Sequence, residues 1–209
     1  MPHSASFAGV ILAAGESSRM GSDKALLPWP PQTPAAGAAR DTFLSTAIRS
    51  LFSTDFVVVV AGANESLLRP VAYGNGASIV VNPNPSRGQF SSLQVGLQAV
   101  LSRGRDAALI TLVDRPPVSE GTVDLLRTAF ESAPESIWAV VPEFLGKHGH
   151  PYVAGREMME AFLQAQPTAS AREIEHKHQD HVRYVVVDDP FVTININTPQ
   201  DYAALVTKM

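Results

Sequence analysis

Short aliphatic runs recur along this chain at 9–12, 56–61, 78–81, 107–113 and 137–141, and most are separated by stretches long enough for a helix. Runs of this length, rich in β-branched residues, suit strands buried on both faces, and a helix-sized connection lets consecutive strands pair in parallel. The alternation therefore predicts an α/β fold of three layers, α/β/α, around a mostly parallel, Rossmann-like sheet. Two helix starts are explicit: Thr42 before 43–48, and Ser91-Ser92 before 93–101. Beyond residue 145 the pattern changes to a turn-rich 146–151, a helix over 156–164 and a polar helical stretch from Ala169. Strand-like runs at 182–187 and 191–196 then precede a last helix over 199–206, with Pro199 in its first turn. Residues 28–41, rich in Pro, Ala and Gly, read as a surface loop. At 209 residues and 45% hydrophobic content the chain can bury a core as one domain over 1–209.

The segment after the first strand, residues 12–24, concentrates small and polar residues: Leu12, Ala13, Ala14, Gly15, Ser17, Ser18 and Gly21, with the cations Arg19 and Lys24. Small side chains let a backbone approach a ligand, and successive free N–H groups make an anion-binding concavity, so a triphosphate is the natural occupant. Two familiar phosphate loops do not fit. Five residues, not four, separate Gly15 from Gly21, and Lys24 comes three later, which rules out a Walker loop. Glycines at the first, third and sixth positions of a dinucleotide fingerprint are also missing. The bland alternative is a glycine-rich connection with no ligand.

Composition narrows the chemistry further. With no cysteine, thiolate metal sites, disulfides and cysteine nucleophiles are excluded. Sixteen basic against twenty acidic residues, without a long basic run, argues against nucleic acid as a partner. Residues 1–8 lack the charged start and apolar stretch of a signal peptide, and the apolar runs are strand-sized, so no membrane span and a cytoplasmic location are expected.

Three further places carry candidate ligands. Asp114 closes the run 107–113, at the carboxyl edge of a buried strand, where open α/β sheets place ligands and a carboxylate can hold a divalent ion; otherwise it is a turn-forming Asp before Arg-Pro-Pro. Asn195 and Asn197 are two apart, so on an extended strand both carbonyl oxygens leave one face; otherwise an Asn caps the final helix. His148 and His150 flank Gly149 in a turn, and the alternative for each is a solvent-facing loop histidine. The trio His176, His178 and His181 lacks the i, i+4 spacing of a helical metal site and reads as an exposed polar face.

Leu-Ala-Ala-Gly-x-Ser-x-Arg-Met-Gly-x-x-Lys over residues 12–24 resembles the signature of the molybdenum cofactor nucleotidyltransferases, within the glycosyltransferase-A-like nucleotidyltransferases. Asn82-Pro83, Gly88 with Ser91-Ser92-Leu93, Asp114-Arg115-Pro116, Gly149-His150-Pro151 and the 195–201 stretch match in order, so the resemblance spans nearly the whole chain. It implies an enzyme that joins a nucleoside monophosphate to the phosphate of molybdopterin and releases pyrophosphate, using Mg²⁺ or Mn²⁺. Residues of about 1–115 would bind the nucleotide and about 116–209 the acceptor. Arg19, Lys24 and Asp114 would be catalytic. Asp114 with Asn195 or Asn197 would hold the metal. The 12–24 loop would bind the triphosphate, and Asn82, Ser91 and Ser92 the base or ribose. Gly149, His150 and Pro151 would line the acceptor pocket. Ala14, where guanylyltransferases usually carry a second Gly, implies CTP ahead of GTP. A molybdenum enzyme is a candidate partner. Other phosphorylated acceptors, such as a sugar 1-phosphate or methylerythritol phosphate, and a non-catalytic nucleotide- or pterin-binding accessory role, are the competing readings.

Overall fold

Alternate side chains of strand β1 (Phe7–Leu12) enter different helical layers, which is the period-2 geometry of a strand buried on both faces. Phe7 and Ile11 face α1 (Phe43–Ser50), α2 (Glu65–Gly74) and α4 (Glu120–Glu131). Ala8, Val10 and Leu12 face α3 (Gln89–Ser102) and α5 (Arg156–Gln164). The computed structural model describes residues 5–15, 17, 20–31, 41–166 and 168–205. β2 (Phe56–Ala61) and β4 (Ala107–Leu112) alternate in the same way, so the predicted three layers are present.

Four strands run parallel in the order β3-β2-β1-β4, β3 being Ser78–Val81. The chain crosses outward from β1 through α1 and α2, then returns through α3 to the other side of β1. That reversal lies between β1 and β4, whose last residues Leu12 and Leu112 are register partners. Open α/β sheets bind ligands in the crevice beyond such a switch point. α3 can lie close there because it carries Gly96, where a Cβ would meet Val10 Cγ1 at 2.7 Å and Val60 Cγ2 at 2.9 Å.

The remainder of the sheet is mixed. β7 (Tyr152–Gly155) joins β4 and β5 (Ala139–Phe144), antiparallel to both, and β8 (Val182–Val186) pairs parallel to the other side of β5. The two-residue β6 (Lys147–His148) pairs with β5 ahead of β7. Register partners sum to 291 along β6 (Glu143 with His148) and 293 along β7 (Val140 with Val153), so two extra residues are looped out between them. The bulge follows Gly149, whose N–H still bonds Pro142 O, and takes in His150-Pro151, where a plain turn was expected. Beyond α6 (Ala171–Lys177), the run 191–196 is not a strand. Asp189 caps a 3-10 turn over Pro190–Thr193 by accepting from Phe191 N–H, and this local bond overrides the β propensity of Phe-Val-Thr-Ile. The chain then runs extended to α7 (Pro199–Ala204). α3 starts at Gln89, so Ser91 and Ser92 lie in its first turn and do not precede it.

Candidate active site

The loop that leaves β1 is fixed from below. Ala13 N–H bonds Val60 O at 2.8 Å, and the Asn64 amide donates to Ala13 O at 2.9 Å and to Asp23 Oδ2 at 2.6 Å. Asn64 thus clamps both ends of the loop, a role that an isolated Asn at a helix start does not announce in sequence. Asp23 in turn caps the short turn Lys24–Leu26 through Ala25 N–H, and Ser17 Oγ accepts from Lys24 N–H at 3.1 Å. Ser17 and Gly21 have positive φ, at 49° and 67°, so the loop folds back on itself and delivers Lys24 to the sheet. Ser18 and Arg19 lie outside the described residues.

Leu12, Ala14, Gly15, Ser17, Lys24, Ser92 and Asp114 line one cavity of about 310 Å³, together with Gly88 and Gln89 at the start of α3. Ala13 points away into the core, and Gly21 is exposed. Lys24 is buried, with its Nζ 3.6 Å from Asp114 Oδ2 and 3.4 Å from Asn197 Oδ1. Distant stretches of sequence thereby meet at one ammonium group. Ile196 N–H donates to Asp114 O at 2.8 Å, which pins the 194–197 segment against the exit of β4. Ile196 is buried, Asn195 is exposed and Asn197 is half-buried; Asn195 lines a cavity next to this one, while Asn197 reaches Lys24, and neither lies on the strand that was expected. Thr198, not an Asn, caps α7 in a box with Asp201, whose carboxylate also accepts from Asn197 N–H; those bonds hold its pKa below the usual Asp value. The Asn197 side chain is thus free of capping and turned to Lys24.

Asp114 Oδ1 is buried and has no hydrogen-bond partner among the described residues. An unmatched carboxylate oxygen, with the Asn197 carbonyl on the same lysine and Asn195 lining a cavity that Asp114 also lines, offers oxygens of the kind a hard cation takes. No cluster of three His, Asp or Glu able to hold a metal exists among the described residues, so an ion here would take much of its coordination from a substrate, as Mg²⁺ does at phosphate sites.

A second cavity, of about 550 Å³, shares Leu12, Gly88, Gln89, Leu112 and Asp114 with the first. Asn195, Arg115, His150 and Tyr152 line it, together with Arg87 and residues of α6. Arg115 donates to Val192 O at 3.0 Å, and the same carbonyl accepts from His150 N–H at 2.9 Å. Burial first, and the Arg115 charge second, push the His150 imidazole down to about 3, so it is neutral at physiological pH; its Nδ1 is buried without a partner among the described residues. Gly149 and Pro151 are buried and shape the bulge without lining the cavity.

Other candidates lie elsewhere. Asn82 donates to Ser91 Oγ at 2.8 Å and to Ser92 Oγ at 3.0 Å, a buried cluster that ties the end of β3 to α3; of the three, Ser92 alone lines the first cavity. His148 is exposed, stacks on Tyr184 at 3.8 Å and lies 3.5 Å from Glu143. His176 is exposed as expected, but His181 stacks on Trp138 at 3.8 Å and His178 packs on the same ring at 5.1 Å, so those two are half-buried packing groups.

Residues 9–182 match the family described as the MobA-like NTP transferase domain. The chain is 25% identical to the molybdenum cofactor cytidylyltransferase of Escherichia coli (strain K12) over 92% of each protein. It is 33% identical to a probable molybdenum cofactor guanylyltransferase of Rhodopirellula baltica over 66% of this chain and 63% of that one. Among solved structures, Rv0371c from Mycobacterium tuberculosis H37Rv superposes with a TM-score of 0.78 at 23% identity, covering 98% of this chain and 100% of the other. Its complex with manganese superposes at 0.72 and 20% identity, over 98% and 100%. No described helix is long and apolar enough to cross a membrane.

Proposed function

This chain belongs to the MobA-like NTP transferase family, and from that premise we propose that it transfers a nucleoside monophosphate, CMP ahead of GMP, to the phosphate of molybdopterin. The observation that carries the reading is the sharing of Asp114 between two cavities, one floored by the glycine-rich loop and Lys24, the other walled by Arg115 and His150. A donor in the first and an acceptor in the second would meet beside that carboxylate. Residues 1–115 then form the nucleotide half and 116–209 the acceptor half. Ala14 lines the first cavity, and the likeness of its Ala-Ala-Gly stretch to that of cytidylyltransferases supports CTP.

An acceptor phosphate oxygen attacks the α-phosphorus, the bond from that phosphorus to the α–β bridging oxygen breaks, and pyrophosphate leaves with the bond's electrons. A phosphate monoester with a second pKa near ~6 is already a dianion at neutral pH, so no general base is needed. The protein's part is to align the two phosphates and spread the charge of the leaving group. Lys24, held at the junction, is suited to the polyphosphate, with Arg19 as the second cation. Asp114 Oδ1 and the Asn195 and Asn197 carbonyls would hold Mg²⁺ or Mn²⁺; when bound, the ion neutralises phosphate charge and orients the donor. Pyrophosphate release, measured with each triphosphate plus Mg²⁺, with and without molybdopterin, tests this. Release with CTP that depends on molybdopterin is expected. Release only with a sugar 1-phosphate or methylerythritol phosphate would move the acceptor class, and none with any acceptor would leave a binding role.

A further inference from the structure

The larger cavity has an order to its polar groups. Next to Asp114 stands Arg115, whose charge acts on His150; the His150 and Tyr152 rings meet edge to face at 5.2 Å; and Glu175, from α6, acts electrostatically on Tyr152. Along this side the wall runs from a cation at the junction, past two rings, to a carboxylate, and Arg87 and Arg172 line the cavity as well. A capping box between Ser170 and Glu173 starts α6, and His178 on Trp138 anchors its end, so Glu175 is presented by a helix held at both ends. Among the described residues no hydrogen bond reaches the Glu175 carboxylate, and no cation lies within 4.0 Å of it. A half-buried carboxylate without a donor costs stability, and burial raises its pKa to about 7. Arg172, three residues earlier on α6 and lining the same cavity, offsets part of that cost electrostatically without pairing with the carboxylate.

We infer that Glu175 is the specificity residue for the acceptor's ring system, accepting hydrogen bonds from two adjacent N–H donors on one heterocycle edge while Arg115 faces the acceptor's phosphate end. A carboxylate offers two coplanar oxygens and no donor, which matches a lactam N–H beside an exocyclic amine, the edge a pterin displays. The inference rests on the pterin acceptor proposed above and adds the residue that selects it. A sugar phosphate lacks such a pair of N–H groups, so the same carboxylate discriminates against the competing acceptor class.

Two variants test it, Glu175→Gln and Glu175→Leu; each removes a carboxylate that the folded protein desolvates, so neither is expected to unfold it. With molybdopterin and CTP, both should raise the KM for the acceptor about 10- to 100-fold, the loss of one charge-assisted pair. The KM for CTP should stay within about twofold and kcat within about threefold, since Glu175 lies remote from the transferring phosphorus. Calorimetric titration with free pterin in the presence of CTP gives a readout independent of turnover: wild-type protein should bind it, and Glu175→Leu about tenfold or more weakly. Equal pterin affinity in wild type and Glu175→Leu, or no pterin binding to wild type, overturns the inference. If wild type turns over molybdopterin and the variants keep its KM, the role of Glu175 falls while the transferase reading stands.

Discussion

Replacing Gly149 with Ala should cost more than any other single methyl group near the site. Gly149 has no positive φ, so alanine can adopt its backbone; the penalty is entirely one of space. The added Cβ would run into the Val192 carbonyl and approach Val192 Cβ to 3.1 Å. That carbonyl accepts from His150 N–H at 2.9 Å and from the Arg115 guanidinium at 3.0 Å, so it cannot retreat without losing both. A neutral backbone bond is worth about 1 kcal/mol, one to a charged donor about 1.5–3, and forced repacking about 1–3. The sum is about 3.5–7 kcal/mol, or a fall in thermal midpoint on the order of 10–25 °C for a chain of this size. The same shift would carry Asn195 and Asn197 from Asp114, so pyrophosphate release should fall along with the midpoint. Differential scanning calorimetry beside the release assay reads both, with Gly74→Ala as control: that helical glycine faces open space, and the change should raise stability slightly. A Gly149→Ala protein melting within about 2 °C of wild type would refute the argument, because the methyl would then have found room that the geometry denies.

Gly15→Ala should do the reverse: a Cβ there meets nothing within 4 Å but enters the 310 Å³ cavity, so the melting temperature should hold while triphosphate affinity, read by calorimetric titration, falls. Lys24→Met replaces a buried ammonium with an apolar chain of similar length; it keeps the packing but leaves Asp114 without its cation, so the midpoint should fall while pyrophosphate release drops about 10²–10³-fold. Asp114→Ala strips the Lys24 amine of its carboxylate in the same way and should also lower both activity and midpoint. The pH dependence of unfolding provides a fourth check. The folded-state pKa of His150 is depressed, so its contribution to stability declines as pH falls from 6.5 toward 3; that of Glu175 is raised, so its contribution declines as pH rises from 4.5 toward 7. Across about pH 4.5–6.5 the two slopes oppose each other, and Glu175→Gln should make stability rise more steeply with pH, by up to about 1.4 kcal/mol per unit. Parallel curves for wild type and variant would show that Glu175 does not titrate as described.

The parallel half of the fold was legible because its strands carry their own signal. β2 and β3 begin and end where their β-branched runs do, and α5 coincides with the predicted 156–164. Elsewhere the determinants are tertiary. Tyr152–Gly155 is too short to stand out beside Gly149 and Pro151, and it becomes a strand because β4 and β5 supply partners on both edges. The 191–196 run looked like a strand because propensity counts Phe, Val, Thr and Ile, whereas one buried carboxylate, Asp189, decides otherwise. At the site, motif spacing picked out Lys24, Asp114 and Asn197, which the fold brings together. It could not find Asn64 or Glu175: the first acts through a backbone carbonyl, and the second matters only because a cavity opens in front of it.

The main-chain bond from Ile196 to Asp114 O joins positions 82 residues apart, and β8 is already complete at Val186. During synthesis, therefore, all eight described strands emerge from the ribosome before Asn195 and Asn197 do. A nascent or truncated chain ending just past β8 would hold the glycine-rich loop and Lys24 but lack Asn195 and Asn197; under the proposed function it would engage a triphosphate at most, without turning it over.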